Sequence, residues 1–259
     1  MNFDLITIIA IFTAFALGGI LKGATGAGAP IITIPVIAAF YDVRIAVIIM
    51  VIPNLLTNIG QLYQFRKTIL PSFFTVSFAL GGGIGAFLGT ILLVSLPIKI
   101  LTLSVAIIVI IYILLKIAVP SWKLVYGKAK KLVFIMGAGG GILQGSAGLS
   151  APISITFLNS MKLERNQFIP TISVYFGVMS IFQMPTLYYY DFLNIEIIIV
   201  SVMSTIVLMC FMPLGSWIAK SISKETFDKV TLILLGFIAL RIIYLNFYND
   251  LNSDKIIFK

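Results

Sequence analysis

The sequence predicts an all-α polytopic membrane protein, with eight to ten hydrophobic segments in two homologous repeats. Three observations carry that prediction. Of the 259 residues, 60% are hydrophobic and only 10% are charged. A soluble domain carries about 25% charged residues, so this chain cannot clothe a water-facing surface. The apolar residues fall into long runs separated by short polar or Gly-rich breaks. One Gly/Pro-rich block occurs twice, early in each half of the chain.

The composition also excludes function classes. A disordered chain would be far less apolar. The formal net charge of +9 has a use other than binding nucleic acid: in a membrane protein, Lys and Arg set orientation. Histidine is absent, which removes most zinc sites, Ser-His-Asp chemistry and imidazole relays. Cys210 is the lone cysteine, so no intramolecular disulfide forms. No cofactor is expected.

A spanning helix needs about 20 apolar residues. The runs in chain order are 5–21, 28–40, 45–64, 69–95 and 98–115, then 132–144, 149–160, 167–189, 194–219 and 229–247. The first follows Met1-Asn2-Phe3-Asp4, without a basic n-region or a small-x-small cleavage site, and reads as a retained membrane segment. The run 69–95 carries Gly81, Gly85 and Gly89, a small-residue ridge for helix packing; Gly82 and Gly83 would loosen it locally. Pro53 and Pro170 would bend 45–64 and 167–189, and Pro213 with Gly215 would kink 194–219. Tyr188, Tyr189 and Tyr190 suit an interfacial aromatic belt. Three runs, 28–40, 132–144 and 149–160, are too short to cross comfortably. Each lies beside a Gly-rich break, the mark of broken or re-entrant helices. The alternative is short, tightly packed helices.

Positive charge collects on the cytoplasmic side of a membrane protein. The stretch with Lys116, Lys123, Lys128, Lys130 and Lys131 is therefore placed inside. With ten segments, Arg66, Lys67, Lys162, Arg165, Lys220, Lys224 and Lys229 fall inside too. Asp42, Arg44, Lys99, Asp191, Glu196 and the mixed C-terminal tail fall outside. Both termini are then outside; with eight segments they move inside.

Residues 19–31 read GILKGATGAGAPI and residues 141–153 read GILQGSAGLSAPI, an offset of 122 without a gap. Gly19, Gly23, Gly26 and Pro30 meet Gly141, Gly145, Gly148 and Pro152. At the same offset Asn58 meets Ser180 and Gln61 meets Gln183. The chain therefore reads as a first repeat, 1–116, a basic cytoplasmic linker, 117–131, and a second repeat, 132–259. Five segments per repeat would invert one copy relative to the other, as in many secondary transporters; four would leave them parallel.

The paired G-x-x-x-G-x-x-G…A-P blocks in a basic membrane protein of this length resemble the TauE/SafE family of sulfite exporters and sulfonate permeases, over nearly the whole chain. The resemblance implies a carrier of sulfite, sulfonate or a related small organosulfur anion in the bacterial inner membrane.

The candidate contacts follow from the blocks. The first contains Gly23, Thr25, Gly26 and Gly28 before Pro30, which fits the first turn of a helix. The second contains Gly145, Ser146, Gly148 and Ser150 before Pro152. A helix N-terminus offers free N–H groups and partial positive charge to an anion. Two such ends meeting at the midplane would form an oxyanion site; close helix packing is the alternative. Lys22, which pairs with Gln144 at the repeat offset, is costly inside an apolar run and is by default a functional candidate; a snorkelling lysine is the alternative. Asn54, Asn58 and Gln61 share one helix face. Ser173, Gly177, Ser180 and Gln183 form a similar stripe. These stripes would line a permeation path or hold helices together. Asp42 and Glu164 could titrate in proton or ion coupling, or simply sit in solvated loops.

An intramembrane enzyme built on Ser146 would lack a base, since there is no histidine and no carboxylate pair within a span. The chain reads as a non-enzyme. Its partners are a small anion and the lipid bilayer, not nucleic acid. A passive anion channel and a structural membrane subunit are the rival readings.

Overall fold

The computed structural model describes residues 5–39, 41–118, 123–221 and 231–244. Met1–Asp4, Lys224, Lys229, the C-terminal tail and the ends of two expected runs (Phe40; 229–230 and 245–247) lie outside the described residues. Among the described residues every regular element is helical. In order they are α1 Leu5–Thr25, α2 Ala29–Ala38, α3 Val43–Phe65, α4 Ser72–Ser95 and α5 Ile98–Ala118, with a 3-10 turn Arg66–Thr68 after α3. Then come α6 Tyr126–Ala147, α7 Ser154–Ser160, α8 Arg165–Tyr189, α9 Ile195–Ser221 and α10 Thr231–Tyr244. Six of them, α1, α3 with its 3-10 turn, α4, α5, α8 and α9, are long and apolar enough to cross a membrane. The protein is a multi-pass membrane protein.

The ten helices match the ten hydrophobic runs, with two differences. The run 132–144 belongs to a helix of 22 residues, about 33 Å long. Lys128, Lys130 and Lys131 interrupt the apolar pattern but open this helix at its aqueous end, and Lys130 sits 4.9 Å from the Phe73 ring centre. Of the stretch 117–131, residues 126–131 are helical and α5 continues to Ala118. The other two short runs stay short. α2 has 10 residues and α7 only 7, against about 20 for a crossing.

Both short helices fold back on the long helix before them. The Thr33 hydroxyl of α2 lies 3.3 Å from the carbonyl of Ala14 on α1. A Cβ on Gly140 of α6 would stand 3.2 Å from the Ser154 Cβ of α7. Gly28 caps α2 with φ 92° and Gly148 ends α6 with φ 71°, a left-handed backbone that glycine adopts without strain. Pro30 sits in the first turn of α2. Pro152 does not start a helix: residues 151–153 form turns and α7 begins at Ser154.

The core is the crossing of α3 and α8. Asn54 pairs with Ser180 and Gln61 with Ser173, so the two helices are antiparallel. Around them α4 packs on α6 and α1 on α9. Gly81, Gly85 and Gly89 face the carbonyls of Phe134, Ala138 and Ile142, and Gly137, Gly141 and Gly145 face those of Phe78, Gly82 and Ala86. This reciprocal ridge makes α4 and α6 parallel and lets their backbones touch. Gly19 and Gly23 of α1 meet the carbonyls of Leu208 and Met212 on α9 with the same four-residue step.

The two ends of the bundle are chemically different. At one end Arg44 donates to the Leu96 carbonyl at 2.6 Å and lies over the Phe192 ring; Asp42, Asp191 and Glu196 fall at this end. At the other, Arg165 donates to the Gly23 carbonyl at 2.9 Å, Thr68 donates to the Asn166 carbonyl, and Leu124 N–H donates to Ser160 at 2.8 Å. Arg66, Lys67, Lys116, Lys123, Lys128 and Lys162 gather here. The outward faces of α1, α5 and α9 carry exposed Ile8, Phe12, Ile107, Leu114, Met203 and Ile206, as a lipid-facing belt requires.

Candidate functional site

Lys22 lies in the last turn of α1 and is only 1% exposed. Its ammonium donates to Asn58 Oδ1 of α3 at 2.9 Å. No carboxylate among the described residues pairs with it. An ammonium has three donors, so two directions are left without an acceptor among the described residues. A buried charge with neither counter-ion nor full hydrogen bonding costs several kcal/mol.

Asn58 is held in turn. Its amide donates to the Asn54 carbonyl at 2.6 Å and to Asn54 Oδ1 at 3.0 Å. Asn54 donates to Ser180 Oγ at 3.2 Å, and Ser180 donates to the Phe176 carbonyl at 3.1 Å. Every donor points the same way, from Lys22 across α3 to the α8 backbone. The i, i+4 spacing of Asn54 and Asn58 sets the stripe; the chain of bonds orients it against Lys22.

The polar stripe continues both ways along α8. On one side Ser173 donates to Gln61 Oε1 at 3.4 Å. On the other, Gln183 Nε2 and Thr186 Oγ1 are buried without a partner. Buried polar atoms left unpaired cost about 1–3 kcal/mol each, and in native proteins such atoms call for a water, ion or ligand. From Ser173 to Thr186 the track runs 13 residues of α8, roughly 20 Å.

The structure does not bring the two Gly-rich breaks together. Gly26 packs against Ile169, near the start of α8, while Gly148 packs against Ile34 and Val47, near the start of α3. Because α3 and α8 are antiparallel, Ile169 lies level with the end of α3. From Val47 to Phe65 is 18 residues, roughly 27 Å along the axis. α1 and α6 run 21 and 22 residues before they turn, so their breaks sit at opposite ends of the bundle.

The hydroxyls of the breaks bond locally. Thr25 donates to the Leu21 carbonyl at 2.8 Å and to the Ala27 carbonyl. Ser146 donates to the Ile142 carbonyl at 2.8 Å. Ser150 accepts from Ser154 at 2.9 Å, and its N–H donates to Gln144 Oε1 at 3.3 Å. Close backbone approach occupies Gly23 and Gly145, where a Cβ would strike Met212 and Ala86. Of the expected residues, Lys22, Asn54 and Asn58 converge; Gln61 and Gln183 extend the same track; the rest do not join it.

Residues 10–242 match the family described as sulfite exporter TauE/SafE. The chain belongs to the TauE/SafE family. No curated protein and no solved structure matches it. The family match includes both Gly-rich breaks and the whole polar track. It identifies the chain as a membrane transporter of anions.

Two residues of this TauE/SafE chain were not singled out as site residues in the sequence. Arg165 and Ser216 both donate to the Gly23 carbonyl, at 2.9 and 3.0 Å. α1 ends two residues later, so this carbonyl lacks a helical partner. A cation at a helix C-terminus is favourable. They lie 142 and 193 residues from Gly23, so only their polarity near segment ends could have signalled them.

Proposed function

We propose that this protein is a secondary transporter for a small anion, sulfite, a sulfonate or a related organosulfur compound, working by alternating access between two inverted repeats. The observation that carries the reading is Lys22, buried in the polar track with one amide acceptor and no carboxylate among the described residues. An oxyanion would supply both the missing acceptors and the missing charge. Asn54, Asn58 and Ser180 hold the lysine in register; Gln61 and Gln183 flank it on either side of the α3–α8 crossing.

Two features support the inverted arrangement. α1 meets α9 through Gly19 and Gly23, as α6 meets α4 through Gly141 and Gly145, and these are matching positions of the two copies. The antiparallel pair α3 and α8 occupies the centre, where a two-fold axis in the membrane plane would pass. Rocking one such unit against the other would expose the track to each side in turn. The basic end faces the cytoplasm, by the distribution of Lys and Arg, and the bacterial inner membrane is the setting that the family resemblance implies.

The test is labelled sulfite flux into proteoliposomes holding the purified protein, with and without an imposed pH gradient. Saturable flux that responds to the gradient and is blocked by sulfonates but not chloride is expected. A conductance that never saturates would make the protein a channel, and no flux from verified, inserted protein would remove sulfite as the substrate.

A further inference from the structure

A cavity of about 320 Å³ opens beside the first Gly-rich break, away from the Lys22 track. Leu21, Ala24 and Thr25 face it, whereas Lys22 between them turns to Asn58. Helical geometry puts these on different sides of α1. The rest of the wall comes from six other helices, including Ile31 of α2 and Ala219 of α9. α5 brings Lys116, α7 brings Asn159, α8 opens with Arg165, and α10 brings Leu232. The cavity thus lies at the basic end of the bundle.

Three properties of the wall restrict its occupant. Arg165 spends one N–H on the Gly23 carbonyl, which fixes the guanidinium plane and leaves its other donors without an acceptor among the described residues. A second cation, Lys116, reaches the same cavity from α5. Much of the remaining lining is apolar: Leu21, Ile31, Ile155, Phe168 and Leu232. A hydrated inorganic ion gains nothing from such a wall, whereas an organic anion buries its body there and presents its head to the guanidinium. The volume is at the small end of the range for small-molecule sites, about 300–1,000 Å³.

We propose that this cavity is a second binding site, separate from the Lys22 track, for an anion with a sulfonate- or phosphate-type head and an apolar body, with Arg165 as the head-group ligand and Lys116 as the supporting charge. Arg165 also clamps the carbonyl that ends α1, so occupancy of the cavity bears directly on the hinge between α1 and α2. Solutes and anionic lipid head groups share this chemistry.

The experiment uses the full-length protein with Cys210→Ala and Asn159→Cys, reconstituted in phosphatidylcholine vesicles. The readout is the rate at which a membrane-impermeant maleimide alkylates the thiol at position 159. Benzenesulfonate is expected to slow alkylation saturably. Benzenesulfonamide, the same body without the charge, is expected to leave it unchanged, and sulfate to protect only weakly. Arg165→Gln should raise the half-protecting concentration at least about tenfold, the effect of losing one charged hydrogen bond, with partial recovery in Arg165→Lys. Lys116→Gln gives a smaller rise and serves where Arg165→Gln fails to fold. A parallel arm adds phosphatidylglycerol to the vesicles: protection by the lipid alone assigns the same site to a head group, and protection by benzenesulfonate without it assigns a solute. Equal protection by benzenesulfonamide, or no change in Arg165→Gln and Lys116→Gln, overturns the proposal. Lys22→Gln separates the two sites, since it should lower flux roughly ten- to a hundredfold and leave protection at position 159 intact.

Discussion

At the scale of single residues, the buried ammonium of Lys22 depends on one amide. Asn58 Oδ1 is its one acceptor among the described residues. Asn58→Leu should therefore destabilise the protein by about 3–5 kcal/mol, the cost of stranding a buried charge. In a Lys22→Gln background the same change should cost much less, because no charge remains to be stranded. Thermal unfolding of the four proteins in detergent measures this coupling; purely additive losses would show that Lys22 and Asn58 do not depend on each other. The sequence marked both residues, Lys22 by its charge inside an apolar run and Asn58 by its place in a polar stripe. Their pairing was not legible, because 36 residues separate them and only packing of α1 against the α3 face decides which amide the lysine reaches. Thr25, Ser146 and Ser150 illustrate the opposite case. Their hydroxyls looked available in sequence, but nearby backbone carbonyls take up those of Thr25 and Ser146 and the Ser154 hydroxyl donates to that of Ser150.

At the scale of elements, the glycines separate by what they touch. A Cβ on Gly85 would run into the Ala138 carbonyl and stand 2.9 Å from the Ile142 nitrogen. Gly85→Ala should force α4 and α6 apart and cost about 1–3 kcal/mol. Gly177, in the middle of α8, has nothing within 4 Å of such a Cβ. Gly177→Ala should be neutral or stabilising by about 0.5–1 kcal/mol through helix propensity. The pair of melting temperatures checks the α4–α6 contact directly; equal shifts would remove it as a close crossing. The small-residue spacing of Gly81, Gly85 and Gly89 announced this packing in the sequence. The length of α6 was hidden for an electrostatic reason. Its first turns carry three lysines that lie in the aqueous zone, so hydropathy marks its start too late. The turn residues Gly28 and Gly148 were legible as breaks, but their depth was not. Depth depends on how far α1 and α6 run before they turn, 21 and 22 residues.

At the scale of the whole molecule, charge divides the bundle into a basic end and an end with Asp42, Asp191 and Glu196. If the basic end is cytoplasmic, a thiol introduced by Gly127→Cys, where there is open space, is alkylated by impermeant maleimide only from the cytoplasmic side. One introduced by Tyr189→Cys, at an exposed position, is alkylated only from outside. Labelling of both from one side would contradict the ten-helix arrangement. The helices could be read from the apolar runs; which of them touch could not, because helix association in lipid depends on small-residue contacts and not on hydrophobicity. The central claim is that the buried charge of Lys22 recognises the transported anion. Its most direct test is labelled sulfite flux by Lys22→Gln beside the wild type, in proteoliposomes with equal amounts of inserted protein. The Lys22→Gln protein is expected to lose roughly ten- to a hundredfold of this flux, the value of a hydrogen bond to a charged group. Wild-type flux from a correctly inserted Lys22→Gln protein would contradict it.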